Sequence, residues 1–234
     1  SPILWDGGGN ATLAAGSPPV MSDIETSFDR FIGIVRPYDI FWSELLSPES
    51  WPTTNVRSLA DTPDTLRAIR NLGTLGVVVY KAKSIWIGQA QGGVSSSAFA
   101  FTLSKFVDGP SGPAAVVDAD GTHYYMTNTG RIGVFDGANH QWIADGIWHA
   151  IRGNIDLGYQ NLVHGVYDAT ENIVVFWYPK IGDAGQLKGM VVINLPEQAG
   201  LVTTHAAFNG TGSFGIGAAL STLTGLTAIV VART

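Results

Sequence analysis

The sequence predicts a mainly β chain built from a repeated group of short strands. Three observations carry this reading: apolar, β-branched runs of four to seven residues, Gly- and Asp-rich turns between them, and a return of the pattern about every 40–50 residues. Residues 31–35, 40–42, 75–80 and 84–88 are the first runs, and the last two are joined by Lys81-Ala82-Lys83 as a hairpin. Residues 98–103 alternate with period two. Residues 114–117, 122–126 and 131–135 form the clearest group, separated by turns at 118–121 and 128–130 and followed by Asp136-Gly137. An Asp-Gly pair between strand-like runs is a strong hairpin signal, because glycine takes positive φ without strain. Further strands are read at 162–167, 173–178, 189–195 and 228–231. Two short helices are expected, one over 62–71 where Pro63 stands near the first turn, and one over 145–151.

Strand groups near 31–42, 75–101, 114–135, 162–193 and 201–231 fit a β-propeller-like fold of about five to six degenerate blades. A β-sandwich or barrel is the alternative. Residues 1–29 read as an N-terminal arm or a first strand with loops, with Gly7-Gly8-Gly9-Asn10 as a loop, and residues 30–234 as one domain.

Composition narrows the function. The 234 residues carry 13 Lys and Arg against 19 Asp and Glu, a net charge of −6, which disfavours a basic nucleic-acid-binding domain. Charged residues are 14%, well below the usual share of about 25%. A chain so poor in charge is expected to cover part of its surface with neighbours. There is no cysteine, so disulfides and thiolate chemistry are excluded. No apolar run approaches the roughly 18 residues of a membrane span.

No catalytic, cofactor or metal site is expected. His123, His140, His149, His164 and His205 include no pair with the i, i+4 spacing of a helical zinc motif; His123, His164 and Asp120 are the least unsuitable metal candidates. The stretch Asp118-Ala119-Asp120-Gly121 hints at a calcium loop but lacks the later ligands and closing Glu, so it reads as a turn. Glu44, Glu49, Asp136, Asp145 and Asp168 are candidates for a carboxylate pair, yet most acids of the chain sit in turns where they cap backbone. No Gly-x-Ser-x-Gly elbow occurs, and Gly210-Thr211-Gly212 lacks the Lys-Ser/Thr of a phosphate loop. The glycine-rich stretch 200–225 reads as a flexible or interface segment. Trp42, Trp86, Trp142, Trp148 and Trp177 are expected to pack between blades; Trp142, Trp148 and Trp177 with Tyr178 are also candidates for a sugar-stacking or interface platform.

Several phrases, in order, resemble a β-propeller family of tailed-phage virion proteins of the tail nozzle or hub kind. They are FWSELLSPESW at 41–51, VVVYKAKSIWIGQ at 77–89, GGVSSSAFAF at 92–101, residues 107–137, VHGVYDATENIVVFWYP at 163–179 and the strand at 190–194. They span about residues 30–195. The resemblance implies a non-enzymatic virion component of the neck or tail, made in the host cytoplasm. It would form a hexameric or dodecameric ring with other virion proteins around a channel through which DNA passes without sequence-specific binding. Chains of that kind are much longer and carry channel-forming domains not matched here. The alternatives are a carbohydrate-binding propeller for host attachment and a polysaccharide hydrolase or lyase.

Overall fold

The structure is a computed structural model. It describes residues 18–92 and 95–195, together with the backbone of five short strands at 3–4, 12–13, 203–207, 218–221 and 227–230. The loop expected at 7–10, and the tail at 200–225 apart from its strands, lie outside the described residues.

The chain divides into two compact units, Ser1–Gly109 and Pro110–Thr234. In the first, β1 (Ile3–Leu4) pairs with β2 (Thr12–Leu13). Then β3 (Asp23–Ser27), β4 (Arg30–Val35), β5 (Asp39–Trp42) and β6 (Val56–Ser58) form one antiparallel meander. A second meander follows: β7 (Leu66–Asn71), β8 (Val77–Lys81), β9 (Ile85–Ala90) and β10 (Phe99–Lys105). The boundary expected near residue 29 falls inside the first sheet, because β3 pairs with β4 through Ser27 opposite Arg30.

The second unit repeats the plan. One sheet holds β11 (Val116–Ala119), β12 (Thr122–Met126), β13 (Ile132–Phe135) and β14 (His140–Ile143). Helix α1 (Asp145–Asn154) comes next. The other sheet holds β15 (His164–Asp168), β16 (Ile173–Pro179), β17 (Leu187–Asn194) and β18 (Thr203–Ala207), and β19 (Ala218–Ser221) pairs with β20 (Thr227–Val230). Every four-stranded sheet keeps sequence order, and none closes into a barrel. Within each unit the first strands lie side by side, β3 against β7 and β11 against β15. Among the described residues no helix is long and apolar enough to cross a membrane.

Period-two burial builds the cores. β17 alternates strictly between buried and half-buried positions. In the first unit Ile32, Ile34, Ile40 and Trp42 pack on Leu66, Ile69, Val77 and Val79 of the next sheet. In the second, Tyr124, Met126 and Val134 pack on Val174, Phe176 and Val191, with Ile151 of α1 closing the cluster. The turn at 119–122 is a two-residue loop with positive φ at Asp120 (50°) and Gly121 (80°), the type I′ geometry that matches strand twist.

At four strand glycines the aromatic residue directly opposite fills the space of the missing side chain: Phe101 at Gly88, Tyr125 at Gly133, Phe176 at Gly165 and Tyr178 at Gly189. Each ring lies where the glycine's Cβ would be. Part of the glycine content therefore serves close packing inside sheets rather than turns.

The helix expected over 62–71 is instead β7. Its apolar positions Leu66, Ala68 and Ile69 are buried, a spacing that resembles a helical face. The cause is a β-bulge: Leu66 opposes Lys81 and Ala68 opposes Tyr80, leaving Arg67 as the extra residue. The helix expected at 145–151 is present and runs to Asn154.

Candidate functional site

Gly133 creates the most chemically distinctive surface of the second unit. It has no side chain, so the Tyr125 ring reaches over it from β12 toward the edge strand β14. There the Tyr125 hydroxyl and His140 Nε2 are 2.8 Å apart in a hydrogen bond. The Tyr125 ring meets Trp142 edge-on at 6.1 Å, and His140 meets Trp142 edge-on at 4.7 Å.

Arg131, two residues before Gly133, extends the row. Its guanidinium carbon lies 4.4 Å from the centroid of Trp142 and 5.3 Å from that of Trp148 on α1. Arg152, one turn further along α1, lies 5.3 Å from Trp148. The Trp148 indole N–H donates to the Thr129 carbonyl at 3.3 Å, and Arg131 donates to Asp145 at 3.4 Å. The result is a ladder of alternating cations and rings that fastens α1 to β14. Each exposed contact of this kind contributes about 0.5–1 kcal/mol.

The three tryptophans proposed from sequence separate here. Trp142 and Trp148 come together half-buried at this surface, with Arg131 between them. Trp177 is buried on one face of the β15–β17 sheet with Val175 and Leu187, beside His164 at 6.3 Å. Tyr178 points to the opposite face and into the core, where burial pushes its hydroxyl up to about 12. The expected packing of all five tryptophans between sheets is met by Trp42, edge-on to Phe99 at 5.6 Å, and by Trp86 in the same core. Trp142 departs from it because β14 is an edge strand, and Trp148 because it belongs to a surface helix.

The remaining candidates are engaged locally. Asp120 accepts from the Tyr167 hydroxyl at 2.8 Å, and the Asp118 carboxylate accepts from the Gly121 N–H, so the suspected calcium loop is a capped hairpin turn. His123 is fully buried on β12, and the His149 ring lies tilted against Trp148 at 5.0 Å. Among the described residues, no group of three or more His, Asp or Glu is placed to hold a metal ion. Asp136 accepts from the N–H groups of Asn139 and Ala138, which hold its carboxyl below the usual range. Asp168 caps the turn after β15 through the Thr170 N–H at 2.9 Å. Glu44 pairs with Arg30 at 3.7 Å, and Glu49 is exposed.

Sequence reading missed a second cluster, in the first unit. Lys81 is fully buried at the end of β8, where the sequence suggested an open connection. Its ammonium donates to the Leu59 carbonyl (2.7 Å), the Thr62 carbonyl (2.8 Å) and Thr62 Oγ1 (2.6 Å), with Asp64 at 3.5 Å. Ser84 donates to Asp64 at 3.0 Å and accepts from the Trp86 indole at 3.2 Å. The one signal for this cage was a lysine ending the otherwise apolar run 77–80. An open depression of 180 Å³ also lies in this unit, lined by Thr26, Arg30, Phe31, Ser43, Leu46 and neighbouring residues.

No protein-family model matches the chain, and no curated protein shows significant sequence similarity to it.

Proposed function

We infer that the chain is a structural component of a tailed-phage virion, a propeller-like neck or tail protein that works through its surfaces in a ring around the DNA channel. The observation that carries this reading is the fourfold recurrence of one four-stranded meander, with first strands side by side within each unit. This arrangement supports the propeller reading, and the phrases resembling the virion family fall on these meanders in order. Exposed apolar side chains support an assembled state: Phe28 and Leu46 on the first unit, and Leu157, Leu162 and Ile181 on the second. The charge deficit has the same explanation.

Light scattering on purified protein over a range of concentrations, followed by electron microscopy, tests this. A hexamer or dodecamer visible as rings is the expected result. A monomer at every concentration, also in the presence of phage neck and tail extract, overturns it.

Carbohydrate binding is the second reading, favoured by the half-exposed Trp142–Arg131–Trp148 stack. Arg131 fills the space between the two indoles, so a sugar would contact their outer faces or displace the arginine. A glycan-array signal lost in Trp142→Ala but kept in a variant at buried Val175 supports this reading; no signal on the array counts against it.

A further inference from the structure

At one end of the first unit the β4–β5 turn is stapled to the connection leading into β7. Leu66 N–H donates to the Pro37 carbonyl at 3.0 Å, Leu59 N–H to the Tyr38 carbonyl at 2.8 Å, and the Tyr38 hydroxyl to the Pro63 carbonyl at 3.2 Å. Arg36 immediately precedes Pro37 in the turn, and Arg67 immediately follows Leu66 on β7. Arg67 is also the extra residue of the β7 bulge. Bulges re-aim a side chain, and the backbone bond from Leu66 to Pro37 brings the Arg67 and Arg36 positions close together.

We propose that Arg36 and Arg67 together form a binding site for a phosphate group. Neither guanidinium makes an ion pair or hydrogen bond among the described residues. Arg67 is half-buried, and its Nε is a buried donor without an acceptor. Burial, and then the neighbouring charge of Arg36, lower the affinity of Arg67 for its proton, and no carboxylate offsets them. Several basic side chains of this unit are supplied with partners: Lys81 has its cage, Arg70 has Asp23 at 2.7 Å, and Arg57 has Asp61 at 3.3 Å. An unpaired buried donor is costly, as is a like-charge pair. An oxyanion held by both guanidiniums offsets the like charge. A tetrahedral dianion has oxygens enough to accept from two guanidiniums, whereas a single carboxylate is already satisfied by one fork.

Phosphorus NMR line broadening of inorganic phosphate, at constant ionic strength near neutral pH, reads the binding directly. The wild-type protein should bind saturably and melt at higher temperature with phosphate present. Arg67→Gln should weaken binding about tenfold, and Arg36→Gln/Arg67→Gln should abolish it. Arg57→Gln, which removes an exposed paired arginine of the same unit, should leave it unchanged. Acetate should compete poorly. A phosphodiester dinucleotide in a parallel titration separates the sources: tighter binding than phosphate assigns the site to backbone phosphates, and weaker binding to free phosphate. Should Arg67→Gln not fold, Arg36→Gln, at an exposed position, carries the test alone. Absence of saturable binding to wild type, or equal binding by the double variant, overturns the proposal.

Discussion

The two units fasten a cation in opposite ways. In the first, Lys81 is sealed from water and held by three oxygen acceptors and a carboxylate, with the Tyr38 ring 5.2 Å away. In the second, Arg131 lies at the surface between two indoles, with Asp145 as a loose partner. The same type of partner, an aromatic face, appears in both, but solvent decides what each contact contributes. A buried charge that loses its partners leaves desolvated groups behind, while an exposed one is replaced by water.

The largest expected effect follows from that contrast. Lys81→Met keeps the aliphatic stem but strands the Leu59 and Thr62 carbonyls and the Asp64 carboxylate. It should cost about 3–5 kcal/mol in denaturant unfolding. A loss below about 1 kcal/mol would show that water enters the cage and that the two cations differ less than their burial suggests.

The difference between the units was only partly legible in the sequence. Strand positions from 114 to 135 were readable because Asp120-Gly121 marks a hairpin by its backbone requirements. β7 was not readable, because the bulge at Arg67 shifts the period from two and imitates a helical face. The Trp142–Trp148 pairing was half-legible: aromatic content is visible, but Arg131 between the rings depends on α1 folding back on β14. Trp177 could not be told apart from them, because nothing local says which face of β16 is covered. The Lys81 cage was invisible since its acceptors come from a connection 19–22 residues away.

A sharper form of the comparison tests the strand glycines. Gly133→Ala drives a methyl into the Tyr125 ring, which is fully buried. The expected cost is about 1–3 kcal/mol, the range for overpacking. The Tyr125–His140 hydrogen bond should break as well, visible as a shift of the His140 ring resonances. Gly146→Ala, in α1 with open space around the new methyl, should be neutral or mildly stabilising. Equal effects at the two positions would mean that Gly133 is not needed for ring passage.

Acid titration separates the Lys81 cage from the ladder. Burial pushes the Asp64 carboxyl up, but hydrogen bonds from Thr62, the Lys83 N–H and Ser84, and the Lys81 charge, outweigh it and leave Asp64 below its ordinary value of 3.8. A carboxyl whose folded value is depressed contributes stability above its unfolded value, and that contribution is lost as pH falls through the folded value. The stability difference between wild type and Asp64→Asn should therefore be full near neutral pH and shrink below about pH 4. A difference that is constant with pH would remove Asp64 from the charged cage.

The smallest effect should come from the ladder itself. Arg131→Ala removes contacts to Trp142 and Trp148 and the Asp145 pair, all at a surface where the arginine side chain is 31% exposed. Each such contact is modest in water, so the total should be about 0.5–1 kcal/mol. Because the attraction is to ring faces more than to Asp145, Arg131→Lys should keep part of it, and added salt should remove little. The informative readout is local: tryptophan fluorescence should shift to longer wavelength as water replaces the guanidinium between the indoles. If Arg131→Ala instead destabilises as much as Lys81→Met, the ladder is a buried core in solution, covered by a neighbouring copy, and the second unit's aromatic surface is then a subunit seam rather than an open platform.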